Sequence, residues 1–204
     1  MTEYWTFSLT VFAAFFAIMN PIAAVPVFIS LTSGADKKEE KIIAQKSTTV
    51  AFLIGLVFFL LGGYIFKMFG ITIPAFKITG GFMLFYSGFE MLQSKKRSVK
   101  NLATATFDDN VAITPLAIPM LTGPGTIVTG MNFVTHSNST HLLLVLAIFG
   151  LMTFLNYVAF RLSDLIIAKI GNNIISIIGK IMGLIIAIIG TNMVLEGIKT
   201  SFSL

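Results

Sequence analysis

The sequence predicts an all-α integral membrane protein of six transmembrane helices, arranged as a 3+3 inverted repeat in which helices 1 and 4 are interrupted. Three observations lead to this prediction. Of the 204 residues, 55% are hydrophobic and 11% charged, with mean hydropathy +0.90, whereas a soluble domain carries about 25% charged residues. Two apolar segments contain prolines that a continuous helix excludes. Lysine and arginine are concentrated in alternate connections, as membrane orientation requires.

The charge and residue content narrow the class of protein. The net charge is +5, but the basic residues lie in short connections between apolar segments, which indicates a lipid bilayer rather than a nucleic-acid partner. The sequence contains no cysteine, so disulfides and thiolate chemistry are excluded. The first residues, Met1–Trp5, lack the basic region of a cleaved signal peptide. We therefore expect the first span to be retained in the mature protein.

Span one is predicted at Trp5–Leu31 and is longer than one crossing requires. The 32 residues between Glu3 and Asp36 are uncharged, whereas a straight crossing needs about 20. The surplus predicts an interruption at Asn20 and Pro21. Asn20 has the side chain of a helix N-cap, and Pro21 suits the first position of a new helix.

Span two is predicted at Ser47–Phe66, where no charged residue occurs. Before it we expect a polar, basic loop at Ser33–Lys46, although Asp36 followed by Glu39 resembles the start of a helix. Gly70 marks the end of the span because glycine is the preferred residue just after a helix.

Span three is predicted at Ile73–Leu92. Lys77 and Glu90 lie near its two ends, so both side chains are expected to reach the membrane interfaces. The following segment, Ser94–Phe107, contains four basic residues and no apolar periodicity. It is predicted to be a flexible cytoplasmic linker.

Span four is predicted at Asp108–Val134, with acids at its start, as the helix dipole favours. Its central stretch, Leu116–Ile127, holds two prolines and two glycines within Pro119–Gly125. A membrane helix tolerates such a run only where the freed backbone groups are buried in protein or line a polar cavity. The two histidines of the next loop, His136–His141, lack a third ligand and are interpreted as solvated, so no metal site is predicted.

Spans five and six are predicted at Leu142–Ile167 and Ile174–Ile198. Arg161 and Asp164 lie one helical turn apart and are expected to pair. The GxxxG pattern Gly179–Gly183 is interpreted as a helix contact.

Two echoes within the sequence predict an internal repeat. Thr114–Pro119 matches Asn20–Pro26 with one residue fewer between the prolines, and Lys77–Gly80 matches Lys180–Gly183 as Lys-Ile-x-Gly. The repeats are assigned to residues 1–93 and 108–204, with the linker at 94–107. Three spans per half is an odd number, so the halves are oppositely oriented. Paired interrupted helices of this kind are typical of transporters with a substrate site near the midplane; the alternative is that both patches are packing kinks.

The distribution of Lys and Arg predicts the orientation. Eleven of the 14 lie on one side of the predicted spans: Lys37, Lys38, Lys41, Lys46, Lys95, Lys96, Arg97, Lys100, Arg161, Lys169 and Lys180. The other three are Lys67, Lys77 and Lys199. The positive-inside rule therefore predicts that both termini lie outside the cytoplasm.

The sequence resembles the MarC family of integral membrane proteins, which includes a small neutral amino acid transporter. The residues that carry the resemblance are MNPIAAVPVFISLTSG at Met19–Gly34, KITGGFMLFYSG at Lys77–Gly88, and AITPLAIPMLTGPGTI at Ala112–Ile127. The resemblance implies a prokaryotic inner-membrane protein with six spans in a 3+3 inverted repeat, and transport of small neutral amino acids such as glycine or alanine. It leaves the substrate and the direction of transport open.

The chemistry of the two breaks suits a small zwitterionic amino acid. The N-termini of half-helices favour a carboxylate, with Thr122 as a cap and Pro124 in the first turn. The carbonyls freed before each proline are acceptors for an ammonium group, and small side chains leave little room for a large ligand. The predicted substrate-binding residues are Asn20, Pro21, Ala23, Ala24, Thr114, Leu121, Thr122, Gly123, Pro124, Gly125 and Thr126.

Other functions remain open at this stage. They are an exporter or channel for another small solute and a membrane scaffold without transport. An enzyme is not expected, because the spans contain no paired acids, no His–carboxylate pair and no P-loop. No cofactor is expected, and the coupling ion, H⁺ or Na⁺, is not assigned. Glu90 and Glu196 lie near span ends and are interpreted as structural rather than as proton carriers.

Overall fold

The computed structural model describes residues 2–32, 34–93, 113–134 and 138–202, and every regular element within them is a helix. The elements are α1 Thr2–Met19, α2 Pro21–Leu31, α3 Lys37–Phe69, α4 Ile73–Gln93, a π-helix Ile113–Leu121, α5 Pro124–Val134, α6 Ser139–Arg161, α7 Ser163–Ile170 and α8 Asn172–Phe202. The predicted linker 94–107 and the predicted start of span four at Asp108 lie outside the described residues.

The structure supports the prediction of an all-helical membrane protein. Within the described ranges, four helical stretches are long and apolar enough to cross a membrane: Glu3–Ile29, Lys37–Phe69, Ser139–Arg161 and Asn173–Phe202. Of the other two predicted spans, α4 carries Lys77 and Glu90 within its 21 residues. The described part of span four is divided between the π-helix and α5, which have 9 and 11 residues.

The predicted loop at Ser33–Lys46 is wrong, because α3 already begins at Lys37. Asp36 accepts hydrogen bonds from the backbone N–H groups of Lys38 (2.7 Å) and Glu39 (2.8 Å), and Glu39 Oε2 accepts from the Asp36 N–H at 2.8 Å. This capping box satisfies the first amides of the helix, so α3 extends through the polar residues before it becomes apolar. At its other end the helix is capped by Gly70 at φ 64°, as predicted.

The end of span five also differs from the prediction. α6 stops at Arg161 and a short helix, α7, follows after Leu162. Asp164 lies in α7 and pairs with Lys37 of α3 at 2.6 Å rather than with Arg161. The start of α6 differs too: Asn138 accepts from the N–H of His141 at 3.0 Å, so His141 is helical rather than in a loop. Its ring centroid lies 4.3 Å from that of Phe7.

Helices α4 and α8 form the most intimate helix pair. A Cβ added to Gly81 of α4 would lie 2.5 Å from the carbonyl oxygen of Gly190 in α8, and a Cβ added to Gly190 would lie 2.5 Å from that of Gly81. Gly183 of the GxxxG pattern also faces α4, which confirms its role in a helix contact. Lys77 and Glu196 join the same two helices by an ion pair of 3.1 Å.

The apolar core is divided into clusters at different levels of the bundle. Cluster A lies toward the start of α3 and consists of Ala24, Phe28, Ile43, Ala44, Ala51, Leu116, Ala117, Leu121 and Phe160. Cluster B lies toward the end of α3 and consists of Val11, Phe15, Met19, Phe59, Phe66, Met131, Val145, Phe149 and Met152. A smaller cluster joins α4 and α8 to the rest through Ala17, Leu84, Val128, Ile186 and Met193.

Candidate functional site

Buried polar side chains occupy the level between clusters A and B. Asn20, Thr122, Thr126 and Asn156 are each at most 3% exposed. Each of them lies in the sequence between a residue of cluster A and a residue of cluster B. Asn20 lies between Met19 (B) and Ala24 (A), and Asn156 between Met152 (B) and Phe160 (A). The two threonines lie between Leu121 (A) and Met131 (B). We call these four residues the polar layer.

Asn20 forms the break between α1 and α2. Its backbone is left-handed, at φ 35° and ψ 72°, a conformation that asparagine tolerates better than most residues. Its Oδ1 accepts from the N–H of Ala23 at 3.2 Å, and Pro21 occupies the first position of α2, so the predicted N-cap is confirmed. Its buried Nδ2 has no hydrogen-bond partner among the described residues. We call this atom the open donor.

Asn156 is a candidate site residue that is absent from the sequence prediction. It is fully buried in α6, where Nδ2 donates to the Met152 carbonyl at 3.0 Å. Its Oδ1 is buried without a partner in the part of the chain that the structure describes, and we call it the open acceptor. A buried amide with half of its hydrogen bonds unmade is costly in an apolar surrounding. An amide inside a predicted span was therefore a signal available in the sequence.

The two asparagines lie in the same section of one helix pair. Two of the aromatic pairs between the α1–α2 segment and α6 flank this section: Phe15 with Phe149 (ring centroids 5.4 Å apart) and Phe28 with Phe160 (4.5 Å). Asn20 and Asn156 both fall between these contacts. The orientation of each amide follows from its other hydrogen bond, since Oδ1 of Asn20 accepts from an N–H and Nδ2 of Asn156 donates to a carbonyl.

The second break follows the π-helix. The Thr122 N–H donates to the Ala117 carbonyl at 2.9 Å, which is the π-type spacing of five residues. The Thr122 hydroxyl donates to the Ala51 carbonyl of α3 at 2.8 Å. This interhelical hydrogen bond fixes the break in the predicted span four to the middle of α3.

Helix α5 starts at this second break. The N–H of Ile127 donates to the Gly123 carbonyl at 3.1 Å, so Gly123 occupies the N-cap position and the predicted cap at Thr122 is wrong. The hydroxyl of Thr126 turns back to the Leu121 carbonyl at 3.0 Å. The N-terminus of α5 therefore begins in the polar layer, as that of α2 does.

The remaining predicted site residues are divided among several contacts. Ala24 and Leu121 belong to cluster A, Pro21 is buried beside Asn20, Thr114 lies in the π-helix and Pro124 begins α5. Ala23 faces α8, where a Cβ on Gly179 would lie 3.6 Å from its methyl group. Gly125 faces α4, where an added Cβ would lie 2.8 Å from Leu84 Cδ2.

A groove of about 540 Å³ lies beside α1, on the side of the bundle where α1 begins. Its polar lining consists of Thr6, Thr10, Thr129 and Asn132, and its apolar lining of Leu9, Ala13, Ala14, Phe133, Ile185, Ile189 and Met193. The hydroxyl of Thr129 is buried and has no partner within the described ranges. The lining of this groove therefore includes a buried polar group.

Known proteins resemble this chain over nearly its whole length. It is 34% identical over 204 residues to the UPF0056 membrane protein YvbG of Bacillus subtilis, with 97% of each chain covered. It is 37% identical over 193 residues to the UPF0056 membrane protein PH0760 of Pyrococcus horikoshii, covering 95% of this chain and 94% of the relative. A UPF0056 membrane protein of Aquifex aeolicus is 35% identical over 205 residues, covering 98% and 95%. No solved structure matches. The model of the MarC family integral membrane proteins matches residues 5–202, and the chain belongs to this family.

Proposed function

We propose that this protein is a secondary transporter of small neutral amino acids, of the glycine and alanine type. The single observation that carries the proposal is the pair of open groups in the polar layer. The open donor on Asn20 suits the carboxylate of a zwitterion, and the open acceptor on Asn156 suits its ammonium group. A bound amino acid would supply both missing hydrogen bonds, which are costly to leave unmade in a buried site.

The absence of charge from the surrounding sequence favours a ligand without net charge. The sequence has no charged residue between Glu3 and Asp36 or between Asp109 and Arg161. The net charge of a charged ligand would have no counter-charge at this depth, where burial of an isolated charge costs free energy. A zwitterion brings equal and opposite charges, and one amide at each of its two ends is sufficient to orient it.

The helix termini at the layer add to this argument. Both α2 and α5 begin there, directly after a break. The N-terminus of a helix carries a partial positive charge and favours an anion such as a carboxylate. Ala23, Ala24 and Gly123 have small side chains or none, which suits a small ligand.

The proposed architecture is the 3+3 inverted repeat with interrupted helices 1 and 4. On this interpretation α1 and α2 form helix 1, the π-helix and α5 form helix 4, and α4 and α8 are the matching third helices. The close pairing of α4 with α8 through glycines supports their equivalence. The protein would lie in the inner membrane with both termini outside the cytoplasm and would couple transport to H⁺ or Na⁺.

The test is amino acid binding by purified protein, first across the twenty amino acids and then for variants. Asn20→Asp keeps the Oδ1 cap and the tolerance for a left-handed backbone but replaces the open donor by an oxygen. We expect it to weaken glycine or alanine binding at least tenfold, about 1.4 kcal/mol. Asn156→Leu removes the open acceptor and should have an effect of the same size.

Asn138→Asp is the matched control, because Asn138 is also an N-cap that accepts from an N–H three residues on, but it is exposed. It should leave the affinity unchanged. Normal affinity in both Asn20→Asp and Asn156→Leu would remove the polar layer from the substrate site. If the unmodified protein binds none of the twenty amino acids, the function is a channel or exporter for another solute or a scaffold.

A further inference from the structure

A second groove lies between α3 and α6, on the side of the bundle where α3 begins. Its volume is about 620 Å³. On α3 it is lined by a helical stripe at positions 41, 45, 48, 49 and 52, and on α6 by a stripe at positions 150, 153, 154 and 157. Both stripes have the spacing of one helix face. The lining residues are Lys41, Gln45, Thr48, Thr49, Phe52, Gly150, Thr153, Phe154 and Tyr157.

The groove extends to about the middle of the membrane. Lys41 lies outside the uncharged run that starts at Ser47. At the other end, Gly150 lies eleven residues before Arg161, which is about 16 Å along α6 and roughly half of the hydrocarbon thickness. The groove therefore connects the membrane surface with the level of the polar layer.

Several polar side chains of α3 and α6 line this groove. Gln45, Thr48, Thr49, Thr153 and Tyr157 all line it, whereas exposed residues of the same helices outside it, Leu53, Val57 and Leu151, are aliphatic. Hydrocarbon offers no partners to hydroxyl and amide groups, whereas water does. This segregation indicates that the groove holds water while the faces beside it hold lipid.

The floor of the groove lies close to Asn156 along α6. Thr153 lines the groove and lies one helical turn before Asn156. Thr153 donates to the Gly150 carbonyl at 2.9 Å, and Gly150 has no side chain, which leaves the deep end wide. Asn156 itself lies on the neighbouring buried face of α6 with Met152 and Phe160.

We propose that the α3–α6 groove is a water-filled cleft through which the transported solute moves between Asn156 and the membrane side where α3 begins. It is distinct from the groove beside α1, which opens on the opposite side. That the solute is a small zwitterion rests on the proposed function; the hydration of the cleft does not.

The natural absence of cysteine permits a direct test on the full-length protein in native membranes. A single cysteine is introduced and treated with a charged, membrane-impermeant methanethiosulfonate reagent, which forms a mixed disulfide with the thiolate and releases a sulfinate. Thiolates form in water but not in hydrocarbon, and each unit by which burial raises the pKa of a thiol lowers the thiolate fraction about tenfold. Gly150→Cys places the thiol at the floor of the groove. Leu151→Cys places it at the same depth on the lipid-facing side, where the native side chain is 46% exposed.

We expect Gly150→Cys to react at least about tenfold faster than Leu151→Cys, although Leu151 is geometrically more exposed. Thr153→Cys, which is nearly isosteric, is the second probe should Gly150→Cys fold poorly, and it should behave in the same way. Equal, slow rates at the groove positions and at Leu151 would show that lipid fills the groove and would overturn the proposal. If the groove thiols react but the protein binds no amino acid, only the proposed substrate is refuted. If the groove thiols do not react but the protein binds glycine, only the cleft is refuted.

Discussion

The substitution Gly81→Ala tests the tight pairing of α4 with α8. Gly81 is buried, and its added Cβ would lie 2.5 Å from the Gly190 carbonyl oxygen and 2.9 Å from the Val194 backbone nitrogen. Both are backbone atoms of α8, which cannot rotate away as the end of a side chain can. Since non-bonded heavy atoms prefer about 3.5 Å or more, the two helices must separate locally by about 1 Å.

The energetic consequence has two opposing parts. Alanine in place of glycine inside a helix stabilises by roughly 0.5–1 kcal/mol. A radial gap of about 0.5–1 Å forfeits a quarter to a half of each dispersion contact along the seam, and overpacking of a filled interior costs about 1–3 kcal/mol. The seam contains further close approaches, since Gly183 and Gly197 also lie against α4 backbone. We expect the unfavourable part to dominate, with a net loss of about 1–2 kcal/mol.

The assay is thermal denaturation of the detergent-purified protein, followed by size-exclusion chromatography of the fraction that stays folded. For a chain of this size, each kcal/mol of lost stability lowers Tm by about 2–4 °C. Gly63→Ala in α3 is the matched control, because no atom lies within 4 Å of its added Cβ; it should melt at the same temperature or higher. A Gly81→Ala protein that melts with or above the unmodified chain would refute the close approach of α4 and α8.

Three further outcomes are expected. A reporter that is active only outside the cytoplasm should be active when fused to the C-terminus, since the Lys and Arg distribution predicts that both termini lie there; activity of a cytoplasm-only reporter would contradict this. Glu196→Gln should lower the free energy of unfolding by less than about 1 kcal/mol, because the Glu196 carboxylate that pairs with Lys77 at 3.1 Å is 59% exposed. Proton-dependent transport, if measured, should persist in this variant. Asp36→Ala should lower stability by about 0.5–2 kcal/mol in the same thermal assay because both capping hydrogen bonds are lost, whereas Asp36→Asn should retain most of it.

The sequence is sufficient for the features that depend on neighbouring residues. The N-cap at Asn20, the proline after it and the C-cap at Gly70 follow from local backbone chemistry, and the structure has all three. The general class follows from composition, because a chain with 11% charged residues cannot cover itself with a soluble surface.

What the sequence could not supply depends on contacts between distant segments. The sequence predicts the second helix from Ser47, ten residues after the observed start of α3 at Lys37, because polar residues are typical of loops; the capping box at Asp36 is the signal of the true start. Asp164 was assigned to its helical neighbour Arg161, but its partner is Lys37, 127 positions away. The contact of Thr122 with the Ala51 carbonyl involves a backbone atom, for which residue type carries no signal.

The two breaks, which look equivalent in sequence, differ in what satisfies their polar groups. At the second break the Thr122 hydroxyl is bonded to α3 and the Thr126 hydroxyl to Leu121, so the protein itself completes these interactions. At the first break the amide of Asn20 makes one hydrogen bond and retains the open donor. A ligand gains most free energy where it completes an unmade hydrogen bond rather than where it must displace an existing one. If the proposed function is correct, the Asn20 side of the polar layer, together with Asn156, is therefore the part expected to contact the substrate, whereas Thr122 holds the second break against α3.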